Sequence, residues 1–109
     1  MNPDDVHKLP LDHPARLLMI AHKRLSSAHP ISNGTKSVVV AAYGDYVVRL
    51  MNVPTMTTNV VSPLWVDLHD AFNDRSLDGA GCNDLLEAIT AVEDFLAEAK
   101  IRNAEASQT

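Results

Sequence analysis

Apolar side chains recur at intervals of three and four positions in several segments of the chain, which is the spacing of one face of an α-helix. The first such segment begins near Asp12 or His13, has Pro14 in its first turn and ends before His29. The last runs over residues 83–103. We therefore expect an amphipathic helix near each end of the chain. The expected inner positions are Leu18, Ala21, Leu25 and Ala28 in the first helix, and Leu85, Ile89, Val92, Leu96 and Ala99 in the last.

A third segment with helical spacing follows Ser62 and Pro63, which suit the N-cap and the first position of a helix. Its expected inner face consists of Leu64, Trp65, Leu68, Ala71 and Phe72. The opposite side of this predicted helix carries three acids spaced three and four residues apart, Asp67, Asp70 and Asp74. The Gly-rich stretch DRSLDGAGCN that follows is interpreted as a loop.

The stretch SVVVAAYGDYVVRLM, residues 37–51, has a different pattern. Its β-branched residues favour strands, and Gly44-Asp45 suits the two-residue loop of a tight hairpin. That loop pairs Tyr43 with Tyr46, Ala41 with Val48 and Val39 with Leu50 on one face, and Ala42 with Val47, Val40 with Arg49 and Val38 with Met51 on the other. Residues 56–61 are a candidate short edge strand. The alternative is a buried helix over residues 36–52, because neither face of the segment is polar.

These elements predict an α+β fold in which a small antiparallel hairpin or three-stranded sheet packs with three amphipathic helices, in the order α-β-β-(β)-α-α. An all-α fold is the alternative. Residues 1–11 are expected to form a flexible arm, residues 12–103 a single domain and residues 104–109 a flexible tail. Three helices do not easily cover both apolar faces of the hairpin and one another. We therefore expect a homodimer, formed through the sheet edge or through the apolar stripe of the last helix.

The composition of the 109 residues, 46% of them hydrophobic, fits one globular domain. The longest apolar run, Val38 to Tyr43, is far shorter than the roughly 20 residues that cross a bilayer. The acidic, proline-containing start does not resemble a signal peptide. One cysteine allows no internal disulfide, so a cytoplasmic location is expected.

The net charge of −5 is concentrated in the second half of the chain, where ten acids stand against three basic residues. An acidic half suits a partner with a basic surface, although a solvated acidic surface is the simpler interpretation. Nucleic-acid binding is not expected, since the basic residues cluster only at Arg16, Lys23 and Arg24. The chain has none of the GxxxxGK[ST], GxGxxG or GxSxG motifs of phosphate-binding loops and hydrolases.

The segment DRSLDG is a candidate metal site. Asp74, Ser76 and Asp78 have the spacing of the first three ligands of an EF-hand calcium loop, with Gly79 at its sharp turn. The second half of that loop is missing, because Leu85 stands where a bidentate Glu belongs. A polar turn is the competing interpretation.

Cys82 precedes the last helix, where the helix dipole lowers a thiol pKa, so it is a candidate nucleophile. Its nearest histidine in the sequence is His69, and no pattern fixes a contact between them. A cysteine packed in the core is the alternative.

We therefore expect a non-catalytic, protein-binding protein without a cofactor, of the regulatory, adaptor or inhibitor kind. It would act through the acidic helical surface of Asp67, Asp70 and Asp74, as a homodimer. The alternatives are a metal- or ligand-binding module using the loop from Asp74 to Asp78 and a cysteine-dependent enzyme.

Overall fold

The structure, a computed structural model, describes residue 10 and residues 12–30, 35–52 and 64–107. Its elements in chain order are α1 (Pro14–Ser27), β1 (Lys36–Tyr43), β2 (Tyr46–Asn52), β3 (Leu64–Asp70), β4 (Arg75–Cys82) and α2 (Leu85–Ser107). The strands form an antiparallel sheet in the order β1-β2-β3-β4. The predicted α+β class is confirmed. The predicted three helices and the order α-β-β-(β)-α-α are wrong, because the described residues contain two helices and four strands.

Both helices pack on the same face of the sheet, here called the inner face. Alternate residues of the two central strands point to it and are almost fully buried, namely Val48, Leu50, Val66 and Leu68. They form one hydrophobic cluster with Leu18, Ala21 and Leu25 of α1 and with Ala88, Val92, Leu96 and Ala99 of α2. The sheet therefore has its core on one side only, as far as the described residues go.

Helix α1 forms where the sequence predicts it. The ring Nδ1 of His13 accepts a hydrogen bond from the backbone N–H of Ala15 at 3.1 Å, and Pro14 occupies the first helical position. Both features satisfy the helix start, where backbone N–H groups lack partners. The predicted apolar stripe is buried at Leu18, Ala21 and Leu25.

The hairpin of β1 and β2 is confirmed, so the all-α alternative is wrong. The first three predicted pairs from the loop outward are present, from Tyr43 with Tyr46 to Ala41 with Val48. Beyond them Val40 is an extra residue in a β-bulge, so Val39 lies opposite Arg49 rather than Leu50. Because side chains alternate along a strand, the bulge moves Val39 to the face away from the helices.

The segment predicted as a third helix is instead the strand β3 and the turn that follows it. Leu64, Val66 and Leu68 of LWVDLHD are buried against the helices, and the residues between them point to the opposite face of the sheet. Helical spacing would have put Phe72 on the inner face, yet its side chain is 81% exposed. A segment of seven residues matches both periods, and pairing with β2 and β4 decides between them.

The Gly-rich stretch predicted as a loop is β4. Its glycines are poor strand formers, but Gly79 makes room for an aromatic ring on the neighbouring strand. A Cβ atom at Gly79 would lie 2.9 Å from Cζ2 and Nε1 of Trp65. Tertiary packing therefore overrides the local preference of this segment.

Helix α2 begins two residues later and ends four residues later than expected. Asp84 Oδ1 accepts a hydrogen bond from the N–H of Glu87 at 2.8 Å, and Glu87 Oε2 accepts one from the N–H of Asn83 at 2.9 Å. These reciprocal bonds fix the helix start. The stripe of Val92, Leu96 and Ala99 covers the chain's own sheet, so it is not free to join a second copy.

Several predictions concern residues outside those described. They are the arm over residues 1–11 apart from residue 10, the edge strand over residues 56–61, the helix start at Ser62 and Pro63, and the last two residues of the tail. No helix in the described part of the chain is long and apolar enough to cross a membrane.

Candidate functional site

The candidate site is the side of the sheet opposite the helices, here called the outer face. No described helix packs on it. Strand register assigns its residues as Ser37, Val39 and Ala42 of β1, Val47, Arg49 and Met51 of β2, Trp65, Asp67 and His69 of β3, and Ser76, Gly79 and Gly81 of β4.

Much of the outer face is apolar. Val39 is 47% exposed and Trp65 is 39% exposed, and both are among the large hydrophobic residues that contact water most. Val47 and Met51 between them are half-buried, and Ala42 is exposed. Single exposed apolar residues are ordinary, but a group on one sheet face is typical of a surface that another molecule covers.

The two charged residues at the centre of the outer face neutralise each other. Arg49 and Asp67 lie directly opposite on β2 and β3, and the guanidinium donates from Nε to Oδ1 at 2.8 Å and from its terminal nitrogen to Oδ2 at 2.5 Å. The Asp67 side chain is 2% exposed and that of Arg49 is 27% exposed. Hydrogen bonding to Asp67 raises the pKa of Arg49, although burial opposes it. The centre of the face therefore carries no net charge.

One end of the outer face carries a histidine. Its Nε2 lies 3.3 Å from Oδ1 of Asp74, while the buried Nδ1 of His69 has no hydrogen-bond partner among the residues that the structure describes. Asp74 has a φ of 52°, a left-handed conformation that aspartate tolerates better than most residues. This turn conformation places the Asp74 carboxylate beside the histidine ring.

The three acids predicted to form a partner-binding surface do not share one surface. Asp67 faces outward but is buried in its ion pair, and Asp70 is buried at the inner end of β3. Asp74 is fully accessible in the turn, with a side-chain exposure of 93%. They lie on a strand and a turn, because the helix that was expected to align them does not form.

Asp70 holds the turn between β3 and β4. Its Oδ1 accepts hydrogen bonds from the N–H groups of Phe72 at 3.0 Å and Asn73 at 3.3 Å, and its Oδ2 accepts one from Asn73 Nδ2 at 2.6 Å. The side-chain bond from Asn73, together with these backbone bonds, lowers the pKa of Asp70 although burial opposes it. The arrangement explains this acid as a structural residue.

The candidate metal ligands Asp74, Ser76 and Asp78 lie on the turn and on β4. Ser76 Oγ donates to the Asp78 carbonyl at 3.3 Å, and Asp78 Oδ1 accepts from the N–H of Gly79 at 2.8 Å. Asp74 is beside His69. Among the described residues no group of three or more His, Cys, Asp or Glu side chains is placed to hold a metal ion.

Cys82 is buried in the core, where it belongs to the inner-face cluster. Burial raises the pKa of its thiol, and the nearby Glu87 and Asp84 raise it further. Cys82 pairs with Leu64 at one end of β3, whereas His69 lies five residues further along and on the other face. At about 3.3 Å per residue the two side chains are roughly 16 Å apart along the strand, so they do not form a nucleophile and base.

A small cleft lies at one end of the sheet, beside α1. Its volume of about 120 Å³ is well below the roughly 300–1,000 Å³ of sites for drug-sized ligands. The cleft is lined by His22, Leu25, Ser26, Lys36, Asn52 and Leu64. It suits water molecules better than an organic substrate.

Sequence reasoning did not identify the outer face. Its signal was the order of residues in β3, where Trp65, Asp67 and His69 occupy the positions between the inward-facing Leu64, Val66 and Leu68. Arg49 and Asp67 are recognisable as a cross-strand pair only once residues 64–70 are known to form a strand, because the sequence predicted a helix there. The bulge at Val40, which brings Val39 to this face, has no comparable signal in the sequence.

Comparisons with protein-family models, with curated proteins and with solved structures find no match to this chain.

Proposed function

We propose that this chain is a non-catalytic protein-binding protein whose binding surface is the outer face of the sheet. The observation that carries the proposal is the exposure of Val39 and Trp65 on a sheet face that neither described helix covers. The class of function is the one expected from the sequence, but the surface differs. An acidic stripe of Asp67, Asp70 and Asp74 has no support from the placement of these residues.

The composition of the outer face supports a protein partner. Aromatic side chains, Met and Arg are enriched in protein interfaces, and the face combines Trp65, Met51 and Arg49. The ion pair with Asp67 satisfies the charge of Arg49 before any partner arrives. A partner could therefore cover the centre of the face without leaving an unpaired charge, which is the costly event in burying charged groups.

The position of Cys82 supports the proposal that this residue does not act as a catalytic nucleophile. Its thiol is buried with a raised pKa, and His69 lies on the other face of the sheet. Activation of a thiol needs a lowered pKa or an adjacent base.

The test is site-specific photo-cross-linking in the cells that naturally produce the chain. One variant carries a photoreactive residue at Val39 on the outer face, and the matched control carries it at Ile20 on α1. Val39 and Ile20 form a matched pair, because both are β-branched and apolar and their exposed fractions are 47% and 45%. We expect discrete protein adducts from position 39 and few or none from position 20.

Adducts that form equally from both positions would mean that general surface contact, rather than the outer face, captures proteins. An absence of adducts from position 39 would contradict the proposal. A protein identified by mass spectrometry in the adduct then gives the partner, which is either another chain or a second copy of this one.

A further inference from the structure

Resting on the proposed function, we infer that the occupant of the outer face is a second copy of this chain, bound across a two-fold axis with the two sheets packed face to face. Such an interface uses the same patch on both copies, so the patch must be self-complementary in charge and shape. The charge, the shape and the area of the outer face are compatible with such an interface.

The charge of the outer face suits self-association. Like charges placed opposite each other destabilise an interface, and a two-fold axis through the centre of the face brings the charges near that centre close to their own copies. Arg49 and Asp67 cancel within one chain through two hydrogen bonds, so neither copy presents a net charge at the centre. The exposed acids of α2, Glu87, Glu93, Asp94 and Glu105, lie on an element that packs on the inner side of the sheet.

The shape of the outer face between β3 and β4 suits packing against a second sheet. Gly79 has no side chain, and the indole of Trp65 lies across the space that this leaves on β4. Ring and glycine together therefore fill the strip between β3 and β4. A filled strip at this place suits another sheet, which packs at a distance of about 10 Å, better than it suits an inserted side chain.

The area of the outer face lies near the lower limit for a specific dimer. Four strands of seven or eight residues measure roughly 25 by 19 Å, or close to 500 Å² in projection for one copy. Two copies together come to just under roughly 1,000 Å², which is below the roughly 1,200 Å² of stable interfaces and within the range of weaker ones. The stripe of α2, the other surface expected to join copies, is already used in the core.

The experiment is sedimentation velocity of the full-length wild-type chain and two variants over protein concentrations reaching the high micromolar range. Val39→Glu places a charge on the outer face, and Ile20→Glu places the same charge at a position of equal exposure on α1. We expect a dimer for the wild type and for Ile20→Glu, and a monomer for Val39→Glu. Far-UV circular dichroism shows that each variant is folded. Ala42→Glu, at an exposed position on the same face of β1, replaces Val39→Glu if that variant does not fold.

The single tryptophan of the chain gives an independent readout, because Trp65 lies on the proposed interface. Excluding water from the indole shifts its emission to shorter wavelength. We expect this shift in the wild type and in Ile20→Glu as concentration rises, over the range in which the sedimentation coefficient increases. Val39→Glu should keep the long-wavelength emission at all concentrations.

A wild type that remains monomeric overturns the inference, and so does a dimer that survives both Val39→Glu and Ala42→Glu. These failures are distinguishable from failure of the proposed function. If the chain is a monomer and position 39 still cross-links to a different protein, the dimer is contradicted and the proposed binding surface is supported. If the chain is a monomer and position 39 gives no adducts, both the dimer and the proposed binding surface are contradicted.

Discussion

The two faces of the sheet are built from the same strands, yet they solve the problem of burial differently. On the inner face Val48, Leu50 and Val66 are fully buried beneath two helices. On the outer face Val39 and Trp65 remain more than a third exposed. The difference shows that an apolar residue in this sheet does not by itself indicate the core.

The two faces also differ in how they accommodate a buried carboxylate. Asp67 on the outer face is neutralised by a cation on the next strand, Arg49. Asp70, buried at the end of β3, accepts hydrogen bonds from N–H groups of its own turn. An ion pair at the centre of an interface can be covered at low cost, whereas a turn cap serves only the fold of the chain. We therefore assign Asp67 to the proposed binding surface and Asp70 to the stability of the turn.

Truncating two neighbouring residues that point to opposite faces should give the largest difference in the free energy of unfolding. Leu50→Ala should lower the free energy of unfolding by about 3 kcal/mol, because it opens a cavity in a fully buried site. Met51→Ala, one residue along on the half-buried outer face, should cost less than about 1 kcal/mol in the monomer. Urea denaturation at low protein concentration measures both. Equal costs would mean that the outer face is as enclosed as the core.

Breaking the ion pair on the outer face should have an effect of similar size. Arg49→Met should cost about 3 kcal/mol, because it leaves the buried Asp67 carboxylate without its partner. Asp67→Asn should cost about half as much, roughly 1.5 kcal/mol, since Arg49 is partly exposed and its charged end can reach water. Urea denaturation of both variants at neutral pH tests this order.

The double variant Arg49→Met with Asp67→Leu is the control for that pair. Replacing both partners by apolar residues removes the desolvation cost together with the attraction, so we expect a stability within about 1 kcal/mol of the wild type. A double variant as unstable as Arg49→Met alone would show that packing, rather than the stranded charge, explains the loss.

Helix α1, helix α2 and the first hairpin were predictable from the sequence because each has one strong local signal. Pro14 and the apolar stripe define α1, and Gly44-Asp45 fixes the loop between β1 and β2. The apolar spacing of Ile89, Val92 and Leu96 defines α2, and its start differs from the expected one by two residues.

The second hairpin was not predictable in the same way, because its signals are divided between distant parts of the chain. Gly79 weakens β4 as a strand when read alone, and its purpose becomes visible only when Trp65 is placed beside it. Trp65, Leu68 and Phe72 also fit a helical period by coincidence. The outer face depends on that hairpin and on the bulge at Val40, so the candidate site could not be located before the sheet was known.

The smallest expected effect is a change of stability with pH that depends on the charge of Asp70. The pKa of Asp70 is lowered in the folded chain, chiefly by the side-chain bond from Asn73. Its ionised form therefore contributes stability above the ordinary aspartate pKa of about 3.9, and this contribution is lost as pH falls through the lower folded value. We expect Asp70→Asn to be less stable than the wild type at neutral pH, and the difference to shrink below about pH 4. Asn73→Ala should raise the pKa of Asp70 toward its ordinary value, as followed by NMR of the carboxyl carbon. A difference between wild type and Asp70→Asn that does not change in acid would mean that the turn is held by its shape rather than by the charge of Asp70.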